Sequence, residues 1–424
     1  MTNQRPVSPF ESIYFVDMGS PVSLYGTPAF FESVVRGRLD PATVRRALDL
    51  LADHHPALRA EVVAGETGPL LRVRERVRPP LIVREGLDAF DEVVNTRPDW
   101  SESLLHAWLL TEGEHSQVVL ALHHGVSDAR SGFALLDEFW QYCTTLATGA
   151  VPSVQRRDTL PEAIDVRLSA DFPDHDIDSL VEVFAEGAED TEPAVLPTEA
   201  LGRADGPPTS HRFVIDRQEF APGFTVAVLC AARARGITVN SLVSGILMTV
   251  VRDQMAPEPG PLPLVCGHAV DLRPRLTPEL PRSVVVNCIT GFQTPLIVAP
   301  DDRLETVGRA VTEQVSSALA RRDPERFLLA GLRAAARGIA LPVPVVSYGI
   351  SNVGRVLDHP VPEGLHLVRF GATVNAVGLP PKLLVATLGG RLLIQQEYDG
   401  WTYSAAQMRR VGEALRAALE ALVH

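Results

Sequence analysis

The chain has 424 residues, which at about 150 residues per domain suggests two or three domains. Hydrophobic residues make up 46% and charged residues 21%, enough apolar surface for sizeable cores, so wholesale disorder is excluded. The net charge of −13 argues against a general nucleic-acid binder and against adhesion to anionic lipid.

The amino terminus is polar and carries Glu11 and Asp17 where a signal peptide needs an apolar run. Residues 34–39 read as a strand. Asp40 followed by Pro41 marks a helix start, and Leu48, Leu51 and Leu58 carry its apolar side. Residues 70–78 alternate with strand period. Arg72, Arg74, Arg76 and Arg78 then share one face, as the solvated side of a sheet or as an anchor for a phosphate-bearing ligand. An apolar strand at 118–122 runs into His123-His124 and a short loop. The helix after it, 131–146, repeats Leu135, Leu136, Phe139, Trp140, Cys143 and Leu146 at helical spacing.

Residues 171–199 hold ten acidic side chains and no Lys or Arg. This stretch reads as a solvated crossover with one short helix near 177–185, the alternative being a partner-docking surface. Beyond it come a strand at 211–215 and helices at 222–235 and 238–254, the second capped by Thr238 or Asn240. Buried strands are expected at 262–270 and 284–292, and a helix at 304–320. Gly389-Gly390 joins 383–388 to 391–396 as a hairpin, and a helix at 404–422 closes the chain. No stretch reaches 18 uncharged apolar residues, so no membrane span is expected. Cys143, Cys230, Cys266 and Cys288 form no CxxC pair and are expected to be buried and reduced, which fits a cytoplasmic protein. The mixed order predicts an α/β fold of two sandwiches. The N-terminal half is 1–165, the acidic crossover 166–208 and the C-terminal half 209–424.

The chemistry concentrates at His123-His124-Gly-Val-Ser-Asp128. Adjacent strand residues face opposite ways, so one histidine can serve an open site while the other is buried. An imidazole pKa of about 6.5 suits proton removal from a hydroxyl near neutral pH. Paired histidines also arise by chance, as at His54-His55. Zinc at His123-His124 is a poor fit, since the two side chains diverge and neither HExxH nor a nearby cysteine is present. Gly125-Val-Ser127-Asp-Ala129 approaches the nucleophile elbow GxSxG without its second glycine.

The run His123-His124-Gly-Val-Ser-Asp128-Ala129 resembles the HHxxxDG motif of the condensation-domain and chloramphenicol-acetyltransferase-like superfamily. Three further stretches match in order. Arg38 to Arg59 ends in His55-Pro-Ala-Leu-Arg, similar to HPxLR. Gly267 to Arg273, with Val286-Asn287, resembles the arginine and FVN-type segment. Ser351-Asn-Val-Gly-Arg355 resembles the SNxGR segment of stand-alone acyltransferases. In style the chain is most similar to the polyketide-associated O-acyltransferases, the phthiocerol dimycocerosyl transferase family. The motif's final Gly is Ala129 here, which suits a backbone of negative φ.

The resemblance implies two chloramphenicol-acetyltransferase-like sandwich halves with a tunnel between them. It implies an acyltransferase with His124 as general base, moving an acyl group from a thioester to a hydroxyl of natural-product type. Acyl-CoA or an acyl carrier protein would be the donor, with no separate cofactor or metal, and the chain is expected to act as a monomer. His123, Asp128 and Arg273 are implied as supporting residues, Asp128 and Arg273 as an ion pair that joins the two halves and holds the His124 loop. Ser351 and Asn352 are candidate substrate contacts, or parts of a tight turn before Gly354. The other readings are amide-forming condensation of carrier-bound substrates and a catalytically silent recruitment module.

Overall fold

Strand and helix patterns resolve into two units in the computed structural model, which describes residues 3–17, 23–187, 192–198, 212–255, 259–341, 345–375 and 377–423. The first unit is Met1–Arg167 with Arg273–Cys288 and Leu357–Ala376; the second is Leu168–Leu272, Ile289–Val356 and Val377–His424. The units are therefore not the successive stretches expected from the sequence. Two pieces of the C-terminal half join the first unit, because their partners lie there.

In the first unit a five-stranded sheet runs His366–Val374, Pro28–Arg36, His115–His123, Leu105–Glu112, Leu81–Glu85. All neighbours are antiparallel except the last pair. The strand Pro28–Arg36 is buried at all positions but its last, as a central strand covered on both sides must be. It is flanked on one edge by His366–Val374, a strand from far down the chain. A smaller sheet combines Gln4–Pro6, Gly68–Val73 and Ala60–Gly65. Helix Pro41–His54 starts with Asp40 accepting from the N–H groups of Ala42 and Thr43, and it packs on helix Ala129–Ala147.

The row of four arginines does not form one strand face. The strand ends at Val73, since the Arg74 carbonyl accepts from the buried Arg59 and Pro79-Pro80 follow. Arg72 pairs with Glu61 at 2.7 Å, and Arg76 and Arg78 lie beyond the sheet.

In the second unit six strands run Ile289–Val298, Leu262–Asp271, Tyr348–Val356, Lys382–Leu388, Arg391–Asp399, Phe213–Glu219. Tyr348–Val356 is parallel to both neighbours. Helix Val239–Gln254, capped by Thr238, puts Leu242, Val243, Ile246, Leu247 and Val251 in the core of this unit. The expected strand at 284–292 begins only at Ile289. Residues 284–288 are buried or nearly so, but their backbone bonds to Arg273 and Asp128 instead of to a sheet.

The acidic stretch is more than a solvated linker. It contains helix Asp174–Glu186, whose Asp174 and Asp178 meet Arg333 at 2.5 and 2.7 Å, while Asp171 meets Arg322 at 2.8 Å. The parts at 188–191 and 199–208 lie outside the described residues. Cys143, Cys266 and Cys288 are buried, but Cys230 is exposed on helix Pro222–Ala234. Among the described residues, no single helix is long and apolar enough to cross a membrane.

Candidate active site

The candidate site begins where the strand His115–His123 stops. His123 is its last residue, and one 3-10 turn, His124–Val126, leads to the helix Ala129–Ala147. The His123 ring is 2% exposed, stacked on Phe15 at 4.2 Å and edge-on to Trp100 at 5.0 Å. Its Nδ1 accepts from the Gly125 N–H at 3.0 Å, so that nitrogen carries no proton. Burial, with the neighbouring His124, pushes its pKa down to about 3. His123 is therefore a neutral packing residue. Gly125 belongs to the same arrangement, because a Cβ there would lie 2.7 Å from the Phe15 ring.

His124 is half-buried. Its Nδ1 lies 2.7 Å from the Ser127 carbonyl. A carbonyl only accepts, so Nδ1 carries the proton and Nε2 holds the basic lone pair. The backbone is held as firmly as the ring. The His124 N–H donates to the Thr27 carbonyl at 3.0 Å, and the His124 carbonyl accepts from Asn287 Nδ2 at 2.9 Å. Tyr14 packs beside the ring at 5.2 Å and its hydroxyl bonds with Asn287. Burial raises the Tyr14 pKa to about 12, so it is a neutral phenol.

Asp128 is the cap of helix Ala129–Ala147. Its Oδ1 accepts from the Ser131 N–H at 3.0 Å, and its Oδ2 accepts from the Cys288 N–H at 2.8 Å and from Arg273 Nη1. Both side chains of this ion pair are 2% exposed. Arg273 Nη2 donates to the Val286 carbonyl at 2.7 Å. The pair was expected to join two halves, but it lies inside the first unit, since the stretch that carries Arg273 belongs there.

Ser127 is buried, and its hydroxyl donates to the His123 carbonyl at 3.2 Å. Ala129 is the first helical residue and has no positive φ, so the change from the motif's glycine strains nothing. Ser351 and Asn352 lie on a strand of the second unit. The Asn352 amide oxygen accepts from the Gly354 N–H at 2.8 Å, at a register shift where Gly354 has φ of 76°. The segment is thus a bulge within a continuous strand. Tyr14, Phe15, Thr27 and Trp100 were not legible as site residues. Each reaches the histidines from a distant stretch without a motif of its own.

With this geometry in place, the solved structures are informative. Polyketide synthase associated protein 5 from Mycobacterium tuberculosis superposes with a TM-score of 0.73 at 20% identity, covering 100% of this chain and 98% of that one. The condensation domain of Monacolin K polyketide synthase gives 0.73 at 14% identity, over 99% and 97%. The trichothecene 15-O-acetyltransferase from Fusarium sporotrichioides gives 0.76 at 11% identity, over 99% and 95%.

The chain has the condensation-domain, chloramphenicol-acetyltransferase-like fold.

Sequence comparison points the same way. Residues 209–397 match the family model described as the phthiocerol/phthiodiolone dimycocerosyl transferase C-terminus. The phthiocerol/phthiodiolone dimycocerosyl transferase of Mycobacterium leprae (strain TN) is 27% identical over 266 residues, 58% of this chain. That alignment spans 59% of the relative's own length. The resemblance carried by the four motifs thus extends to a family model, a relative and the fold.

Proposed function

We propose that this chain is an O-acyltransferase that moves an acyl group from a thioester to a hydroxyl, with His124 as general base. The observation that carries the reading is the bond from His124 Nδ1 to the Ser127 carbonyl, which leaves Nε2 as the basic atom. The likeness to a dimycocerosyl transferase and to an acetyltransferase of the same fold supports the reaction class.

In this mechanism Nε2 takes the proton of the acceptor hydroxyl as its oxygen attacks the thioester carbonyl. The tetrahedral adduct collapses, the C–S bond breaks, and the imidazolium returns the proton to the leaving sulfur. The thioester is already activated, so no acyl-enzyme is needed. The Ser127 hydroxyl donates to a backbone carbonyl, which supports leaving it out of the chemistry. The donor is acyl-CoA or an acyl carrier protein, and the acceptor an alcohol of polyketide or related natural-product type.

The test follows thiol release from acetyl-CoA and palmitoyl-CoA with n-octanol, and with n-octylamine in its place. Turnover with the alcohol and loss of roughly 10²–10⁴-fold in kcat for His124→Ala are expected. Ser127→Ala is expected to keep most of the activity. A loss below about tenfold for His124→Ala removes the general-base role. Preference for the amine supports the condensation reading instead, and an acyl adduct on Ser127 supports the nucleophile elbow.

A further inference from the structure

The second histidine pair, His54-His55, has no part in the site above. His54 ends the helix Pro41–His54 and His55 follows it immediately. Both face Glu138 on the helix Ala129–Ala147: His54 Nδ1 lies 2.7 Å from one carboxylate oxygen and His55 Nε2 lies 2.8 Å from the other. The ligand atoms of the three residues all lie within 4.8 Å of one another.

We propose that His54, His55 and Glu138 bind one divalent transition-metal ion of the zinc class, through Nδ1, Nε2 and the carboxylate. Two imidazole nitrogens and one carboxylate oxygen are a donor set that zinc accepts, with a fourth position left to water. The donors are held before any ion arrives. The Tyr142 hydroxyl, one helical turn beyond Glu138, bonds its carboxylate, and the His55 N–H is tied to the Leu51 carbonyl. The two rings stack at 4.5 Å, so their facing nitrogens present to the same carboxylate. His55 is buried, while the side chains of His54 and Glu138 keep 21% and 18% of their exposure, which opens one side to an entering ion. A neutral imidazole frees its facing nitrogen by moving the proton to the other ring nitrogen, so no further base is required. The bound ion would clamp the end of helix Pro41–His54 to the helix Ala129–Ala147.

The experiment uses the full chain, stripped with a chelator and dialysed against zinc chloride at neutral pH, then against cobalt(II) for its absorption spectrum. Expected are about one ion per chain, the strong visible bands of a four-coordinate cobalt site and a raised melting temperature. His54→Gln, at a half-buried helix end, is expected to weaken binding at least tenfold and abolish the melting shift. His175→Gln, at an exposed histidine, is expected to change neither. If His54→Gln fails to fold, Glu138→Gln reads the same loss. Absence of stoichiometric binding by the native chain, or binding that survives loss of either ligand, overturns the proposal. The cluster is then a hydrogen-bonded clamp only. None of these readouts depends on acyl transfer.

Discussion

At His124 one short bond determines which nitrogen holds the lone pair. Because the partner of Nδ1 is a backbone carbonyl, the tautomer follows from donor–acceptor logic. The same logic makes Asp128 a structural group. Its carboxylate oxygens are taken up by Ser131, Cys288 and Arg273. A buried pair of this kind adds little against apolar replacements, yet breaking it strands a charge at a cost of about 3–5 kcal/mol. Asp128→Ala and Arg273→Ala are each expected to lower stability by about that amount. The double variant should cost clearly less than the sum, by urea denaturation. Strict additivity would contradict the coupling.

At the scale of elements, the helix Ala129–Ala147 sits under the loop it follows and owes its position to close packing. A Cβ on Gly132 would lie 1.9 Å from the Phe31 ring tip. That ring is 1% exposed and edge-on to Phe133 at 5.4 Å, so it has little room to move. Two effects oppose each other in Gly132→Ala. Helix propensity favours alanine by about 1 kcal/mol, whereas overpacking a dense core costs about 1–3 kcal/mol or more. Contact at this distance makes the second effect larger. Gly132→Ala is expected to lower the denaturation midpoint, and a raised midpoint would show that Phe31 yields.

For the whole molecule, acid is the condition to which this fold is most exposed. Burial lowers the pKa of His123 to about 3 in the first unit and of His268 to about 4 in the second. His106 is lowered too, again chiefly by burial. Each is neutral when folded and takes a proton near pH 6.5 when unfolded. Their contribution is fully present above about pH 6.5 and is lost as pH falls toward 4 and 3. Glu138 adds to the loss between about pH 4.5 and 2, since its folded pKa is depressed. Urea midpoints measured from pH 7 to 4 should fall steadily from about pH 6.5. A flat profile down to pH 5 would mean that these rings are protonated in the native state.

Much of this was legible in the sequence, and for a local reason. Helix and strand periods, the Asp40-Pro41 start, the Thr238 cap and the Gly389-Gly390 turn depend on neighbours within a few residues. His123, His124, Asp128 and Arg273 stood out because they recur in a recognisable order, and the first three lie within six residues. The tertiary structure alone decided what each segment packs against. His366–Val374 drew no assignment from the sequence, and only pairing with Pro28–Arg36 places it in the first unit. Residues 284–288 look like strand, but the Arg273 guanidinium and the Asp128 carboxylate take up their backbone groups. Tyr14, Phe15 and Thr27 enclose the histidines from about a hundred residues away. Such contacts depend on shape and hydrogen-bond partners in space, which leave no periodicity or spacing along the chain.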